Sequence, residues 1–155
     1  IPAYDIPEHS LELPIDGVPV KAFLDSYNST TYSILEYKTG VRKKDGRAPW
    51  DQVLVRKHEQ LPFYAMLVEE DEGQYDPLVT LVWMETEWAE ACNDVEYGGK
   101  TFRQCKPALR LTGYFETFER EIKKWEILRM RHLVREVATE ISEDFTRYQK
   151  TTHGN

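Results

Sequence analysis

Two short apolar segments, each ending in an acidic residue, constrain the fold of this chain more than any other feature. Residues 22–24 (Ala-Phe-Leu) lead into Asp25, and residues 34–35 (Ile-Leu) lead into Glu36. Ser, Thr and Asn dominate residues 26–31 between them, which predicts a hairpin turn. Two adjacent antiparallel strands would bring both carboxylates to one place. Because side chains alternate along a strand, Glu36 and Lys38 share one face and Tyr37 points away.

These residue types match the needs of a magnesium site. Carboxylate oxygens are the ligands that Mg²⁺ prefers in proteins, and an ammonium group beside them can orient a water molecule. Taken as isolated residues, Glu36 and Lys38 also fit a weak surface ion pair on an edge strand. The wider order of residues along the chain decides between these interpretations.

That order resembles the motif of the PD-(D/E)XK nuclease superfamily, and within it the RecB-like and lambda-type exonuclease branch. In that branch an Asp ends one strand, Asp/Glu-x-Lys follows on the next strand, and Gln-x-x-x-Tyr lies on the following helix. The matching residues here are Asp25, then Glu36-Tyr37-Lys38-Thr39-Gly40, then Gln60 and Tyr64. The resemblance is firm over residues 10–70 and loose elsewhere.

The resemblance implies an α/β fold with a restriction-endonuclease-like mixed β-sheet flanked by helices. It implies cleavage of DNA with Mg²⁺ or Mn²⁺, in the form of an exonuclease for recombination, repair or phage genome processing. The catalytic residues would be Asp25, Glu36, Lys38, Gln60 and Tyr64. The metal ligands would be Asp25, Glu36 and the backbone carbonyl of Tyr37, with Glu12 as a further candidate beside Glu8 and His9.

Two other functions stay open on the sequence. The helix that precedes the motif Asp in the family has no counterpart here, so a catalytically inactive nuclease-fold module for DNA binding or assembly is the main alternative. An unrelated α/β protein with a chance Asp/Glu-x-Lys is the second. Metal binding would distinguish the unrelated protein from the two nuclease-fold interpretations. Cleavage of DNA would distinguish the active nuclease from the inactive module.

Charge is distributed unevenly along the chain. The formal net charge is −7, yet residues 38–57 contain seven basic and two acidic residues, a local excess of five positive charges. This predicts that DNA follows the loop after the catalytic strand. The residues expected to contact DNA are Arg42, Lys43, Lys44 and Arg47, with Trp50 stacking on a base. A merely solvated loop is the alternative.

Composition limits the remaining possibilities. A length of 155 residues with 41% hydrophobic content fits one globular domain, residues 1–155. No apolar run approaches the roughly 18 residues of a membrane span, and the N-terminus lacks a secretory signal, so we expect a cytoplasmic protein. Cys92 and Cys105 could pair in principle, but without an export signal reduced thiols are expected. A homo-oligomer or a larger repair assembly is compatible with the sequence.

Hydrophobic periodicity predicts the elements around the motif. Strands are expected at residues 11–13, 18–25 and 32–39, a mostly helical segment at 53–70, a buried strand at 78–84, and a strand at 109–118. Pro62 would kink or break the helix, unless a short helix starts near it after a separate turn. Residues 89–105 are expected as a loop with a small hairpin at Gly98-Gly99, and a long helix from Thr117. Trp83, Trp88 and Trp125 are expected in the core.

Overall fold

The computed structural model describes residues 5–73 and 77–152. The chain forms five strands and three helices. Three strands come first, a connection with two helices follows, and two strands and the third helix complete the fold. The strands are β1 (Ile6–Ile15), β2 (Val18–Tyr27), β3 (Ile34–Gly40), β4 (Leu78–Tyr97) and β5 (Lys100–Glu121). The helices are α1 (Gln52–Lys57), α2 (Gln60–Glu72) and α3 (Lys124–Thr152).

All five strands form one mixed sheet in the order β1-β2-β3-β4-β5. The pairs β1/β2, β2/β3 and β4/β5 are antiparallel, and β3/β4 is parallel. Parallel neighbours need a crossover connection, which here contains α1 and α2. The expected α/β class, with a mixed sheet and a long C-terminal helix, is confirmed.

Helix α2 lies at the centre of the core. Its residues Leu61, Ala65, Met66 and Leu67 are completely buried, because α2 packs against both β1 and α3. Residues 79–83 of β4 are buried on both faces of the sheet, as their continuous apolar run predicts.

The break between α1 and α2 has a local cause. Asp51 caps α1, with its Oδ1 accepting the Leu54 N–H at 2.8 Å, and α1 ends at Lys57 with His58 as its C-cap. Helix α2 then starts at Gln60, which places Pro62 in its first turn. A proline is tolerated there, because the first N–H groups of a helix have no partner within it. The expected single helical segment is therefore two helices, and Pro62 belongs to the second.

Strands β4 and β5 are much longer than predicted. The hairpin does turn at Gly98-Gly99, but residues 89–105 pair continuously and form no loop. The prediction that a helix starts at Thr117 is also wrong, because Thr117 pairs with Val82 and Glu121 with Leu78 within the sheet. Beyond Glu85, where the β3 ladder ends, the hairpin continues as two strands alone. We call residues 86–97 and 100–111 the ribbon.

Cys92 and Cys105 occupy directly opposite positions in the ribbon. They form a disulfide with Sγ atoms 2.12 Å apart, so the prediction of reduced thiols is wrong. Facing residues of an antiparallel pair have close Cβ atoms, and this proximity allows the bond. Trp88, 65% exposed on the ribbon, and Trp125, 64% exposed on α3, are not core residues, whereas Trp83 is fully buried as expected.

A buried ion pair joins β5 to α3. Arg120 and Glu126 contact each other through Nη2 and Oε1, and both are buried. Arg120 Nη1 also donates to the Val55 carbonyl at 2.8 Å, while Glu126 Oε2 accepts the Lys123 N–H at 2.9 Å. This pair therefore fixes the end of α1 and the start of α3 to the same sheet edge. None of the helices within residues 5–73 and 77–152 is long and apolar enough to cross a membrane.

Candidate metal site

The site begins where β2 and β3 separate. Their ladder consists of two residue pairs, Ser26 with Leu35 and Tyr27 with Ile34. Asp25 follows directly, and its Oδ2 accepts the Tyr37 N–H at 2.8 Å. A side chain thus takes the place that a backbone carbonyl would hold in a longer ladder. This bond holds the Asp25 carboxylate beside the strand that carries Glu36.

Glu36 is a buried carboxylate with half of its hydrogen-bonding capacity unused. The residue is 3% exposed, and its Oε1 lies 2.8 Å from Lys38 Nζ. Among the residues that the structure describes, none donates a hydrogen bond to Oε2. Burial raises the pKa of Glu36, Lys38 opposes that rise, and the neighbouring Asp25 carboxylate adds to it. Two ionised carboxylates can only accept, so the pair calls for a shared proton or a cation.

Lys38 connects this pair to α2. Its Nζ donates to Gln60 Oε1 at 2.7 Å, and Gln60 Nε2 donates to Tyr64 Oη at 2.5 Å. Gln60 and Tyr64 are one helical turn apart and share a face of α2, as the sequence predicts. Burial raises the pKa of Tyr64, and the Glu36 charge contributes. Five predicted catalytic residues therefore lie in one connected cluster.

His58 belongs to this cluster and was missed from the sequence. Its Nε2 lies 3.1 Å from Gln60 Oε1, and its ring meets Trp50 edge-on with centroids 5.0 Å apart. Because Gln60 Oε1 can only accept, His58 is the donor. Burial lowers the pKa of His58, which favours the neutral ring. The only sequence signal was its position just before the Gln60 helix.

Glu12 is not brought to the site. It pairs with Lys21 across the β1/β2 ladder, with Nζ and Oε2 3.8 Å apart and both side chains exposed. Lys21 lies four residues before Asp25, about 13 Å along a strand. Glu8 is nearer, since its neighbours Pro7 and His9 pair with Ser26 and Leu24, but it is exposed.

The basic loop carries less free charge than its composition suggests. Arg42 forms an ion pair with Glu85, and its guanidinium lies 4.8 Å from the ring centroid of Tyr114. Arg47 pairs with Asp45 at 2.6 Å. Lys43 and Lys44 are exposed. Trp50 is half-buried against the core, so its expected stacking on DNA would have to use the part of the ring that His58 leaves open.

The donor set at Asp25 and Glu36 fits a hard divalent cation. Mg²⁺ is commonly bound through one or two carboxylates, with waters and substrate phosphates completing its coordination. The Tyr37 N–H donates a hydrogen bond to Asp25. Binding of the metal by the Tyr37 carbonyl stays a prediction. Glu90, Cys92 and Cys105 form another group of potential ligands, but the disulfide leaves no thiolate there to bind a metal.

No protein-family model, curated protein or solved structure matches this chain. A functional assignment therefore depends on the geometry of the site.

Proposed function

We propose that this protein is a Mg²⁺- or Mn²⁺-dependent deoxyribonuclease with a PD-(D/E)XK-type site on a restriction-endonuclease-like core. One observation carries the proposal: Glu36 is buried beside Asp25, and no residue that the structure describes donates to its Oε2. A buried carboxylate oxygen without a donor is costly, and a bound cation beside Asp25 would offset that cost. Lys38, Gln60 and Tyr64, connected to this carboxylate, supply the other groups that phosphodiester hydrolysis needs.

Each residue of the cluster has a distinct role in this proposal. Asp25 and Glu36 would hold the cation, which when bound would lower the pKa of a water and offset negative charge on the phosphoryl group. Lys38 orients the attacking water or stabilises the phosphoryl oxygens. Gln60 positions the Lys38 ammonium through the bond at 2.7 Å, and His58 and Tyr64 fix the orientation of the Gln60 amide.

The proposed substrate is DNA, processed from an end in recombination, repair or phage genome metabolism. Support comes from Lys43 and Lys44, which are exposed directly after the strand that carries Lys38. They lie where a bound phosphate chain would continue past the site. Acidic residues outnumber basic ones outside residues 38–57, which favours DNA binding at this edge.

The second candidate is an inactive nuclease-fold module used in DNA binding or assembly. Two observations favour it: Lys38 is already engaged by Glu36 and Gln60, and large apolar side chains are exposed on the ribbon and α3. A homo-oligomer or a repair assembly would cover such surfaces.

The test is a titration with Mg²⁺ and Mn²⁺ by calorimetry, followed by cleavage assays on linear duplex, circular duplex and single-stranded DNA. Asp25→Ala and Glu36→Ala should each remove metal binding and cleavage. Glu12→Ala is the matched control, because it deletes an exposed carboxylate of the same sheet outside the site, and it should behave as wild type. Metal binding unchanged in both site variants would disprove the site. Metal binding without cleavage of any substrate would favour the inactive module.

A further inference from the structure

The two faces of the ribbon carry opposite charge. Side chains alternate along each strand and directly opposite residues share a face, so the ladder register assigns every residue of the ribbon to one face. One face, which we call the basic face, carries three cationic residues and one acidic residue: Lys100, Lys106, Arg110 and Glu87. The opposite face carries three acidic residues and one cationic residue: Glu90, Asp94, Glu96 and Arg103. The formal charges of the two faces are therefore +2 and −2.

The acidic residue of the basic face is already neutralised. Glu87 lies directly opposite Arg110, with Oε1 and Nη2 2.8 Å apart. Lys100 and Lys106 are exposed, and the residues that face them in the ladder are uncharged. The positive charge of the basic face is thus available to an anionic partner, while the acidic excess of the ribbon points to the other side.

The shape of the basic face also differs along its length. Its half nearest the sheet contains small side chains, namely those of Ala89, Ala91 and Ala108. At its tip, Phe102 and Tyr97 are 52% and 81% exposed. Small side chains leave room for a polymer backbone to approach the strands, and exposed aromatic rings can stack on bases or insert between them.

The basic face adjoins the proposed nuclease site at the base of the ribbon. Glu85 lies two residues beyond Trp83, the ladder partner of Lys38, so it is on the side of the sheet that carries Lys38. Glu85 forms an ion pair with Arg42 of the loop that follows β3. Arg110 faces β4 two residues further along, on the same side. The basic face therefore begins where the loop proposed to contact DNA ends against the sheet.

We propose that the basic face of the ribbon binds duplex DNA and extends the substrate path beyond the catalytic cluster. Its cationic side chains contact phosphates, and the aromatic side chains at its tip contact bases. The major groove of B-DNA admits a two-stranded β-ribbon. Twelve residues per strand extend over about 40 Å, the length of about 12 base pairs. Because the ligand is the substrate of the proposed nuclease, this assignment rests on the proposed function.

Two other partners match the basic face less well. A second copy of the chain would bring two faces of the same sign together, which costs free energy. An acidic protein would match the charge, but the exposed aromatic tip and the junction with the loop after β3 favour a nucleic acid. The Cys92–Cys105 disulfide lies on the opposite face and holds the strands together without obstructing the basic face.

The experiment measures the affinity of a fluorescently labelled duplex by anisotropy. A duplex of about 24 base pairs, twice the length that the ribbon spans, is titrated at salt concentrations from about 50 mM to about 200 mM. EDTA is present throughout, so that binding is measured without metal-dependent cleavage. Lys106→Ser should weaken binding and flatten the salt dependence by about 0.9 units, and the double variant with Lys100→Ser should flatten it by about 1.8 units.

Two further variants separate the face from the net charge. Arg103→Ser is the matched control, because it removes the same charge from the same strand on the opposite face; it should leave the salt dependence nearly unchanged. Ala91→Lys, introduced into Lys106→Ser, returns a cation to the basic face at the directly opposite position and should restore binding. Circular dichroism verifies that each variant is folded.

Three results would overturn the proposal. The first is a double variant that binds DNA with the wild-type affinity and salt dependence. The second is an equal loss in Arg103→Ser and Lys106→Ser, which would show that only net charge matters. The third is polyglutamate that displaces the labelled duplex as well as unlabelled duplex does, which would assign the basic face to an acidic protein.

Failure of this proposal and failure of the proposed function give different results. A protein that binds duplex through the basic face, yet binds no Mg²⁺ and cleaves no DNA, would refute the nuclease and support the ribbon as a DNA contact. A metal-dependent nuclease whose ribbon variants bind DNA as tightly as the wild type would refute only the ribbon contact.

Discussion

Glu36→Gln should make the protein more stable when divalent cations are removed. The wild-type carboxylate is 3% exposed and faces Asp25, and within residues 5–73 and 77–152 its Oε2 has no donor. A glutamine amide can accept from Lys38 through Oε1 and donate from Nε2 towards Asp25. Relief of one unsatisfied buried group is worth about 1–3 kcal/mol. For a chain of this length, each kcal/mol raises the melting temperature by about 2–4 °C.

The effect should depend on pH in a defined direction. Because the pKa of Glu36 is raised in the folded protein, the folded state binds this proton more tightly than the unfolded state. Protonated Glu36 therefore stabilises the folded state of the wild type. This stabilisation is fully present below the pKa of Glu36 in the unfolded protein, and it is lost as the pH rises through the pKa of Glu36 in the folded protein. The advantage of Glu36→Gln should be largest at neutral pH and shrink in acid.

The assay is urea unfolding of both proteins in EDTA across this pH range, repeated with Mg²⁺. At a hundred times its dissociation constant, Mg²⁺ should stabilise the wild type by about 2.7 kcal/mol and the variant far less. Glu12→Gln, at an exposed position, should change stability by no more than about 0.5 kcal/mol. A Glu36→Gln protein that is less stable than wild type at neutral pH in EDTA would refute the reasoning.

Three further outcomes follow from the structure. Lys38→Ala should lower the cleavage rate about 10²–10⁴-fold while metal still binds in calorimetry; cleavage at the wild-type rate would exclude Lys38 from the chemistry. Replacing Lys43 and Lys44 with Ser should flatten the salt dependence of duplex binding by up to about 1.8 units, or about 0.9 per side chain. Arg42→Ser, which loses a side chain already paired with Glu85, should flatten it by clearly less than about 0.9 units; a change of the full 0.9 units would contradict the pairing. Arg120→Ala should cost about 3–5 kcal/mol in urea unfolding, because it leaves a buried carboxylate unpaired; a cost below 1 kcal/mol would show that the pair is not a structural clamp.

The residues of the cluster could be predicted because they lie on elements that follow each other in the chain and also contact each other in the fold. Asp25 and Glu36 end neighbouring strands, and Gln60 and Tyr64 recur at helical spacing, so local rules bring them together. Local rules did not show whether the charges of Arg42 and Arg47 are free or paired. Composition counts both as free cations, whereas folding places each beside a carboxylate.

The errors in secondary structure have a common physical cause. Phe118 and Ile122 lie four residues apart, which fits a helix, yet residues 117–121 are held in β5 by their ladder to β4. Tertiary pairing of this kind overrides local periodicity. Residues 89–105 of the ribbon are mostly exposed on both faces, so they show no alternation of apolar and polar residues that would predict strands.

The short β2/β3 ladder has a consequence for how the protein folds and opens. Hairpins β1/β2 and β4/β5 each close through a tight turn and can form from local contacts, which form fastest. Asp25 belongs to the first hairpin and Glu36 to the strand beyond it, and two residue pairs join them. The cluster therefore exists only after hairpin β1/β2 has docked on β3. Partial opening at this seam would take the two carboxylates apart without disturbing the rest of the sheet, and exchange of the Tyr37 amide hydrogen would report it.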